Sequence, residues 1–481
     1  MDLNQQLADE VASAIRDGHL KPGDRLPSVR QTCRQRGVSP ATVFLAYGRL
    51  ESSGLVEARA RSGYYVRGAR RGARALPATA VPRAEATAVE IGELAFELLG
   101  ATRAGEVVAL GSAFPSAALF PFEALARCGA RAMRHLKPKQ QIGGALIAGD
   151  PGLREALRRR YVSHGVALAD DEIVITDGAL EGLNLCLQAV TQPGDVVAVE
   201  SPTFYAALQA LERLHLKAVE VATDPVTGVD LASLATLIER EPKLRACWFM
   251  TNFQNPLGAL MPTPRKRELV DLLARHRVPL IEDDVYAELY DGASAQRPPP
   301  AKSFDREGLV MHCSSFSKCL APGYRIGWAA AGRYAPVVQR LKMMSSLATS
   351  LPPQLAISEY LVAEGYDRHL RGLRETLSRQ RQHALRMVER HFPAGTRVTR
   401  PQGGYFLWVE LPAEVDALAL HRRALDGHRI SSAPGALFSA DRRFAHHMRL
   451  NVSFDADDGE RFDDALRVLG RLAAGDPALS R

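Results

Sequence analysis

The first twenty residues put Leu7, Val11, Ile15 and Leu20 on one stripe at helical spacing, and the turn-forming string DGHLKPGDRLP closes the segment. Ser28 follows Pro27 and predicts an N-cap for a second helix, VRQTCRQR, which Gly37 stops. A third helix is expected from Ser39 as N-cap and Pro40 at the first helical position, with Val43, Ala46, Tyr47 and Leu50 facing inward. Beyond Gly54 the pattern alternates in LVEARARSGYYVR, and its Ser62-Gly63 turn predicts a two-stranded wing with Arg59 and Arg61 near the tip. Residues 67–90 have no hydrophobic period and are rich in Ala, Arg and Pro, so they read as an extended tether.

From about residue 91 the pattern changes. EIVIT, VVAVE, ACWFM, VPLIEDD and LVMHC read as strands alternating with helical stretches, the rhythm of a mostly parallel α/β sheet covered on both faces. Ligands in such sheets sit beyond the carboxyl ends of the strands. After EIVIT, Gly178 and Ala179 open a helix whose free N–H groups suit a phosphate. Phe204 or Tyr205, after VVAVE, offers a flat surface, and Asn255 follows ACWFM within TNFQNPLG. Asp283 and Tyr286 stand three apart in EDDVY. Then SSFSK follows LVMHC with Ser315, Ser317 and Lys318, and Arg325 comes after a Pro-Gly bend. Near the end, HMRLNVSF puts Arg449 on a strand.

Composition narrows the class. With 481 residues, 46% hydrophobic and 24% charged, two or three globular domains are expected. No apolar run approaches the ~18 residues of a membrane span, and the first residues are polar rather than a signal peptide. Six scattered cysteines without a C-x-x-C pair argue against a zinc site or a disulfide framework and for a reducing cytoplasm. Residues 1–74 hold 13 Lys and Arg against 7 Asp and Glu, whereas the remaining residues hold 48 against 47. A basic head on a balanced body suggests a polyanion partner. Two helices around a Gly-containing turn make a helix-turn-helix, whose second helix enters the major groove of double-stranded DNA. Ser39 and Thr42 would then lie toward base edges, and Arg30, Arg34, Arg61 and Arg67 toward phosphates.

The string LKPGDRLPSVRQ…GVSPATVFLAYGRLESSGLVEARARSGYYV resembles the winged helix-turn-helix head of the GntR family of bacterial transcription regulators, over roughly residues 3–67. It departs from the family at Pro40, commonly an arginine, and at QTC on the second helix, which reads as a packing change. The later motifs, in their order, resemble the fold-type I pyridoxal 5′-phosphate (PLP) enzymes of the aspartate aminotransferase superfamily over roughly residues 91–475. That resemblance implies that Lys318 holds the cofactor by its aldehyde and serves as the catalytic lysine. It implies that Asp283 pairs with the pyridine nitrogen, Tyr286 and Asn255 bond the ring hydroxyl, and Phe204 stacks on the ring. Gly178, Ala179, Ser315, Ser317 and Arg325 would surround the phosphate, and Arg449 would hold an effector carboxylate. A tyrosine common in this superfamily, which reaches the partner subunit's phosphate, is missing from the stretch GGALIAGDPGLREAL.

A GntR-type head on an aminotransferase-like body is the arrangement of the MocR subfamily. The implied domains are a winged helix-turn-helix at 1–68, a linker at 69–90 and a PLP-binding body, with a small C-terminal α+β subdomain, at 91–481. The resemblance implies a cytoplasmic, nucleoid-associated regulator that senses PLP, an amino-acid-like effector or both, as a head-to-tail homodimer. The competing expectation is an active PLP-dependent aminotransferase with an auxiliary DNA-binding head.

Overall fold

A computed structural model describes residues 3–16, 19–20, 23–52, 55–59, 63–66, 74–100, 107–134, 136, 147–291, 297–363 and 365–476. The chain divides into two compact units, 1–74 and 75–481.

In the first unit, α1 (Leu3–Arg16), α2 (Val29–Arg36) and α3 (Pro40–Ser52) precede a hairpin of β1 (Val56–Arg59) and β2 (Gly63–Val66). The N-caps are those expected. Ser28 Oγ accepts from the Gln31 amide at 3.2 Å, and Ser39 Oγ accepts from the Thr42 amide at 3.2 Å. Gly37 ends α2 in the left-handed region with φ 65°, where a β-carbon would be strained. Leu7, Leu26, Val43, Ala46, Tyr47, Leu50, Val56 and Val66 form the core of this small unit, with Val11, Ile15 and Leu20 packed against it. The QTC departure is more than packing. Thr32 is buried and its hydroxyl lies 2.8 Å from the Tyr47 hydroxyl, which donates to Pro27 O at 2.9 Å. Val56 pairs with Val66 and Arg59 with Gly63 in the wing, while Arg61 and Arg67 lie outside the described residues.

The second unit is built on a nine-stranded sheet. Its path runs Thr87–Ala88, Lys217–Asp224, Val196–Ser201, Leu244–Phe249, Leu280–Asp283, Val310–Ser315, Ile326–Ala330 and Ile173–Asp177, with Gly228–Val229 added beside Lys217–Asp224. The strands read from apolar runs are all present, and the four central pairings that join Lys217–Asp224 through to Val310–Ser315 are all parallel. Their burial explains the runs: every residue of Val196–Ser201 is buried, because helices cover both faces. Ile326–Ala330 is the departure. It runs antiparallel to both neighbours, with Trp328 opposite Ser314 on one side and Ile175 on the other. A small four-stranded antiparallel sheet, Arg397–Val398, Phe406–Glu410, His447–Asn451 and Ala433–Pro434, packs with Ala417–His428 and Gly459–Ala473 as the C-terminal subdomain.

The linker expected at 69–90 is a correction. Ala75 O accepts from the Val398 amide at 3.1 Å, the Ala78 amide donates to Glu410 at 3.2 Å, and Thr79 Oγ1 donates to Asp224 at 3.1 Å. Thr87–Ala88 is an edge strand of the large sheet, and Val89 and Ile91 are buried. From residue 75 the segment is a strap on the body. Its anchors are single residues and a two-residue strand, too short to show a period. Residues 69–73 lie outside the described residues.

Candidate functional site

The carboxyl ends of the parallel strands converge on a cavity of about 240 Å³, lined by Ala179, Phe204, Asp283, Tyr286, Ser315, Ser317, Lys318 and Arg325 among others. Eight residues spread over more than 140 positions of sequence therefore face one space.

Lys318 lines this cavity. Burial, then the cationic guanidinium of Arg449, push its amine down to about 7, and Arg325 adds to this while Asp283 opposes it. Its Nζ donates to Ala113 O at 2.8 Å and lies 3.6 Å from the centre of the Phe114 ring. Near neutral pH a large share of the amine is thus unprotonated, the form that attacks a carbonyl.

Asp283 ends the strand Leu280–Asp283 and is buried, and its Oδ1 meets no hydrogen-bond donor. Burial, with help from neighbouring Asp284, raises its carboxyl to about 7. A buried carboxylate oxygen without a partner is costly, so it calls for a donor from a bound molecule.

Asn255 Nδ2 donates to the Tyr286 hydroxyl at 3.3 Å, and Arg449 Nη1 donates to Asn255 Oδ1 at 3.0 Å. Arg449 is fully buried, donates through Nη2 to Gly111 O at 2.7 Å and lies 4.3 Å from the Phe406 ring centre. Its Nε has no partner.

An anion cradle sits at the other end. Gly178, with φ 79°, caps the helix Ala179–Val190, and Arg325 donates to Ser317 Oγ at 3.1 Å and to Asp177 O at 3.3 Å. The Ser317 amide in turn donates to Ser315 Oγ at 3.3 Å. A β-carbon on Gly327 would lie 2.4 Å from the carbonyl carbon of Gly178, so the strand can approach the helix start only without a side chain there. The helix N-terminus, two hydroxyls and a guanidinium form the donor set a phosphate monoester requires.

Several contributors left no signal in the sequence. Ala113 and Phe114 reach the cavity from about two hundred residues upstream, and Tyr405 donates to Ala113 O at 3.0 Å. Met250 and Gln209 also line it, whereas Tyr205, which lines it too, was the other aromatic the sequence offered. Beneath the site, Trp328 Nε1 donates to the Tyr161 hydroxyl at 2.9 Å, which lies 2.6 Å from His312 Nδ1, while His312 Nε2 lies 2.9 Å from Asp284. An indole N–H can only donate, so Tyr161 donates onward and His312 presents its N–H to Asp284. Burial opposes ionisation of Asp284, but His312, Arg297 and Asn252 together hold its carboxyl below the ordinary value.

In the head, Arg30 and Arg34 are exposed, and Arg59 is described only by its backbone. Ser39 and Thr42 do come together, but on each other, with their hydroxyls 2.8 Å apart.

Residues 125–466 match the family described as aminotransferase class I and II, and residues 3–66 match the gntR family of bacterial regulatory proteins. An uncharacterised HTH-type transcriptional regulator of Escherichia coli, YdcR, is 47% identical over 97% of this chain and 98% of its own length. The chain belongs to the MocR subfamily of GntR-family regulators. Among solved structures, the α-aminoadipate aminotransferase of Thermus thermophilus, complexed with N-(5′-phosphopyridoxyl)-L-leucine, shares 31% identity and a TM-score of 0.71. It covers 80% of this chain and 95% of that one. The kynurenine aminotransferase of Pyrococcus horikoshii, in complex with PMP, has a TM-score of 0.73 at 27% identity, over 80% of this chain and 95% of its own. The cofactor of this MocR-type body is pyridoxal 5′-phosphate. The site fits it on three counts: an unpartnered buried carboxylate for a protonated ring nitrogen, a glycine-lined anion cradle, and a near-neutral lysine amine for the aldehyde.

Proposed function

We propose that this MocR-type chain is a DNA-binding transcription regulator whose body senses pyridoxal phosphate together with an amino-acid-like effector. The single observation behind this reading is a complete winged helix-turn-helix carried on the same chain as a furnished PLP site.

The assigned roles are as follows. Lys318, with its near-neutral amine, would hold the cofactor by its aldehyde, and Asp283 would hold a proton on the ring nitrogen. Tyr286 and Asn255 bond the ring hydroxyl, and Phe204 covers the ring. Gly178, Ala179, Ser315, Ser317 and Arg325 bind the phosphate. Arg449, buried beside Lys318 with Nε free, binds the effector carboxylate. The bound cofactor supplies an electrophilic carbon conjugated to an electron-withdrawing ring. An amino-acid-like effector taking the place of Lys318 there would leave its amine free to hold a proton and to keep the contact with Ala113 O. Such a change moves DNA affinity only to the extent that the effector binds two forms of the body unequally. In the head, Arg30, Arg34, Arg59, Arg61 and Arg67 contact phosphates while α3 faces the groove. The working unit is a head-to-tail homodimer, and the domain limits are those of the strap: a head to residue 74 and a body from residue 75.

A second reading, a working aminotransferase with an auxiliary head, is favoured by the intact pairing of Lys318 and Asp283 in one cavity. One experiment separates them. DNA affinity is measured by fluorescence anisotropy, with and without PLP and a panel of amino acids, beside steady-state transamination. A cofactor- or effector-dependent change in affinity supports the regulator, and turnover at enzymatic rates with no sequence-specific DNA binding rejects it.

A further inference from the structure

α3 carries two apolar faces. Val43, Ala46, Tyr47 and Leu50 are buried in the head, as a three-helix unit demands. On the opposite side, Ala41, Phe44, Leu45 and Gly48 fall at i, i+3, i+4 and i+7, and all four are exposed. Phe44 and Leu45 show 56% and 58% of their surface to solvent. A surface helix of a small domain has no reason of stability to carry a bare stripe of this kind.

Three further observations say what covers it. The stripe lies on the second helix of a helix-turn-helix, the element that enters the major groove. The unit around it is basic, with 13 Lys and Arg against 7 Asp and Glu in residues 1–74, as a duplex partner requires. Finally, Gly48 sits inside the helix with nothing within 4 Å of the position a β-carbon would take. Among the described residues nothing in the head needs a glycine there, although it costs helix stability. A close approach to DNA does need it.

Polar readers are scarce on this helix. The Ser39 and Thr42 hydroxyls are engaged with each other and with the helix start. Arg49, the sole arginine or lysine of α3, has its guanidinium on Gln5 of α1. The usual arginine-to-guanine contact is therefore not offered by this helix. What the major groove presents to an apolar surface is the 5-methyl group of thymine.

We propose that Ala41, Phe44, Leu45 and Gly48 make α3 a reader of thymine methyl groups, so that each half-site is recognised by shape against T·A pairs. This deepens the DNA-binding reading above and rests on it.

The test starts from selection of binding sequences out of a random duplex library by the full-length, PLP-loaded protein. The best sequence is then resynthesised with deoxyuridine at each thymine in turn, which removes one methyl group and leaves every hydrogen-bonding edge intact. At the contacted thymines the affinity should fall about fourfold per methyl, the ratio that burial of one such group provides. Phe44→Ala and Leu45→Ala, both exposed and outside the core, should abolish that difference while keeping salt-dependent non-specific binding. A selected site where deoxyuridine binds as well as thymidine overturns the inference, as does unchanged discrimination in both variants. Failure to select any sequence overturns the DNA-binding reading itself, so the two failures are told apart.

Discussion

A β-carbon placed on Gly178 would lie 2.2 Å from Nη2 of Arg325. The two residues are 147 positions apart in sequence, yet the guanidinium occupies the space that a side chain at 178 would need. Gly178 also has φ 79°, a region costly for other residues. Gly178→Ala should therefore displace Arg325 and weaken binding of the cofactor phosphate by at least about tenfold, the loss of one charge-assisted contact. A spectroscopic titration with PLP checks this, with circular dichroism confirming that the fold is kept.

Asp283 supplies the next prediction. Its Oδ1 has no donor, and burial holds its carboxyl near 7 rather than at its ordinary value of 3.8. Asp283→Asn should weaken cofactor binding, because a neutral amide cannot hold the proton on the ring nitrogen. The same change should raise the melting temperature of cofactor-free protein at pH 8, where the native carboxylate is buried and charged. Differential scanning fluorimetry with and without PLP shows both effects, and a fall in both melting temperatures would contradict the assignment.

The pH dependence follows from Lys318. With its amine at about 7, the rate of PLP uptake should rise roughly tenfold per pH unit below that point and level off above it. Arg449→Gln removes a cation that lowers the amine, so the break should move to higher pH. Stopped-flow absorbance between pH 6 and 9 measures it.

Stability carries the same signature with its own signs. Between about 7 and the ordinary 10.5 the unfolded chain holds a proton on Lys318 that the native chain lacks, so stability rises with pH in that window. Between 3.8 and about 7 the native chain holds a proton on Asp283 that the unfolded chain lacks, so stability falls as pH rises there. From these two groups, cofactor-free protein is expected to be least stable near pH 7, and saturating PLP should remove the dip. Urea unfolding at half-unit pH steps reports it.

Tyr47→Phe tests the head alone. The hydroxyl donates to Pro27 O and lies 2.8 Å from Thr32 Oγ1, joining the turn before α2 to α3. Its removal should cost about 1–3 kcal/mol, because the buried Thr32 hydroxyl and Pro27 carbonyl lose their partner. Hydrogen exchange should accelerate across residues 3–66 and stay unchanged in the body.

Much of this architecture was legible in the chain. Ser28, Gly37, Ser39 and Pro40 act locally, within one helical turn, so their caps follow from composition. The buried strands follow from runs such as VVAVE, because a strand covered on both faces has no polar side to show. Lys318, Asp283, Tyr286 and Arg325 were legible too, because each stands just beyond a strand end or its following bend, and a parallel sheet gathers those ends.

Distance along the chain set the limit. The loop of Ala113 and Phe114, the strap beginning at Ala75 and the Trp328–Tyr161–His312–Asp284 chain rest on contacts between segments far apart in sequence, which no local pattern encodes. The antiparallel setting of Ile326–Ala330 is of the same kind, since either direction buries the same side chains and only its neighbours fix the choice. The near-neutral amine of Lys318 is a property of enclosure. The sequence supplied the lysine, and folding supplied the dry, cationic surroundings that lower its proton affinity.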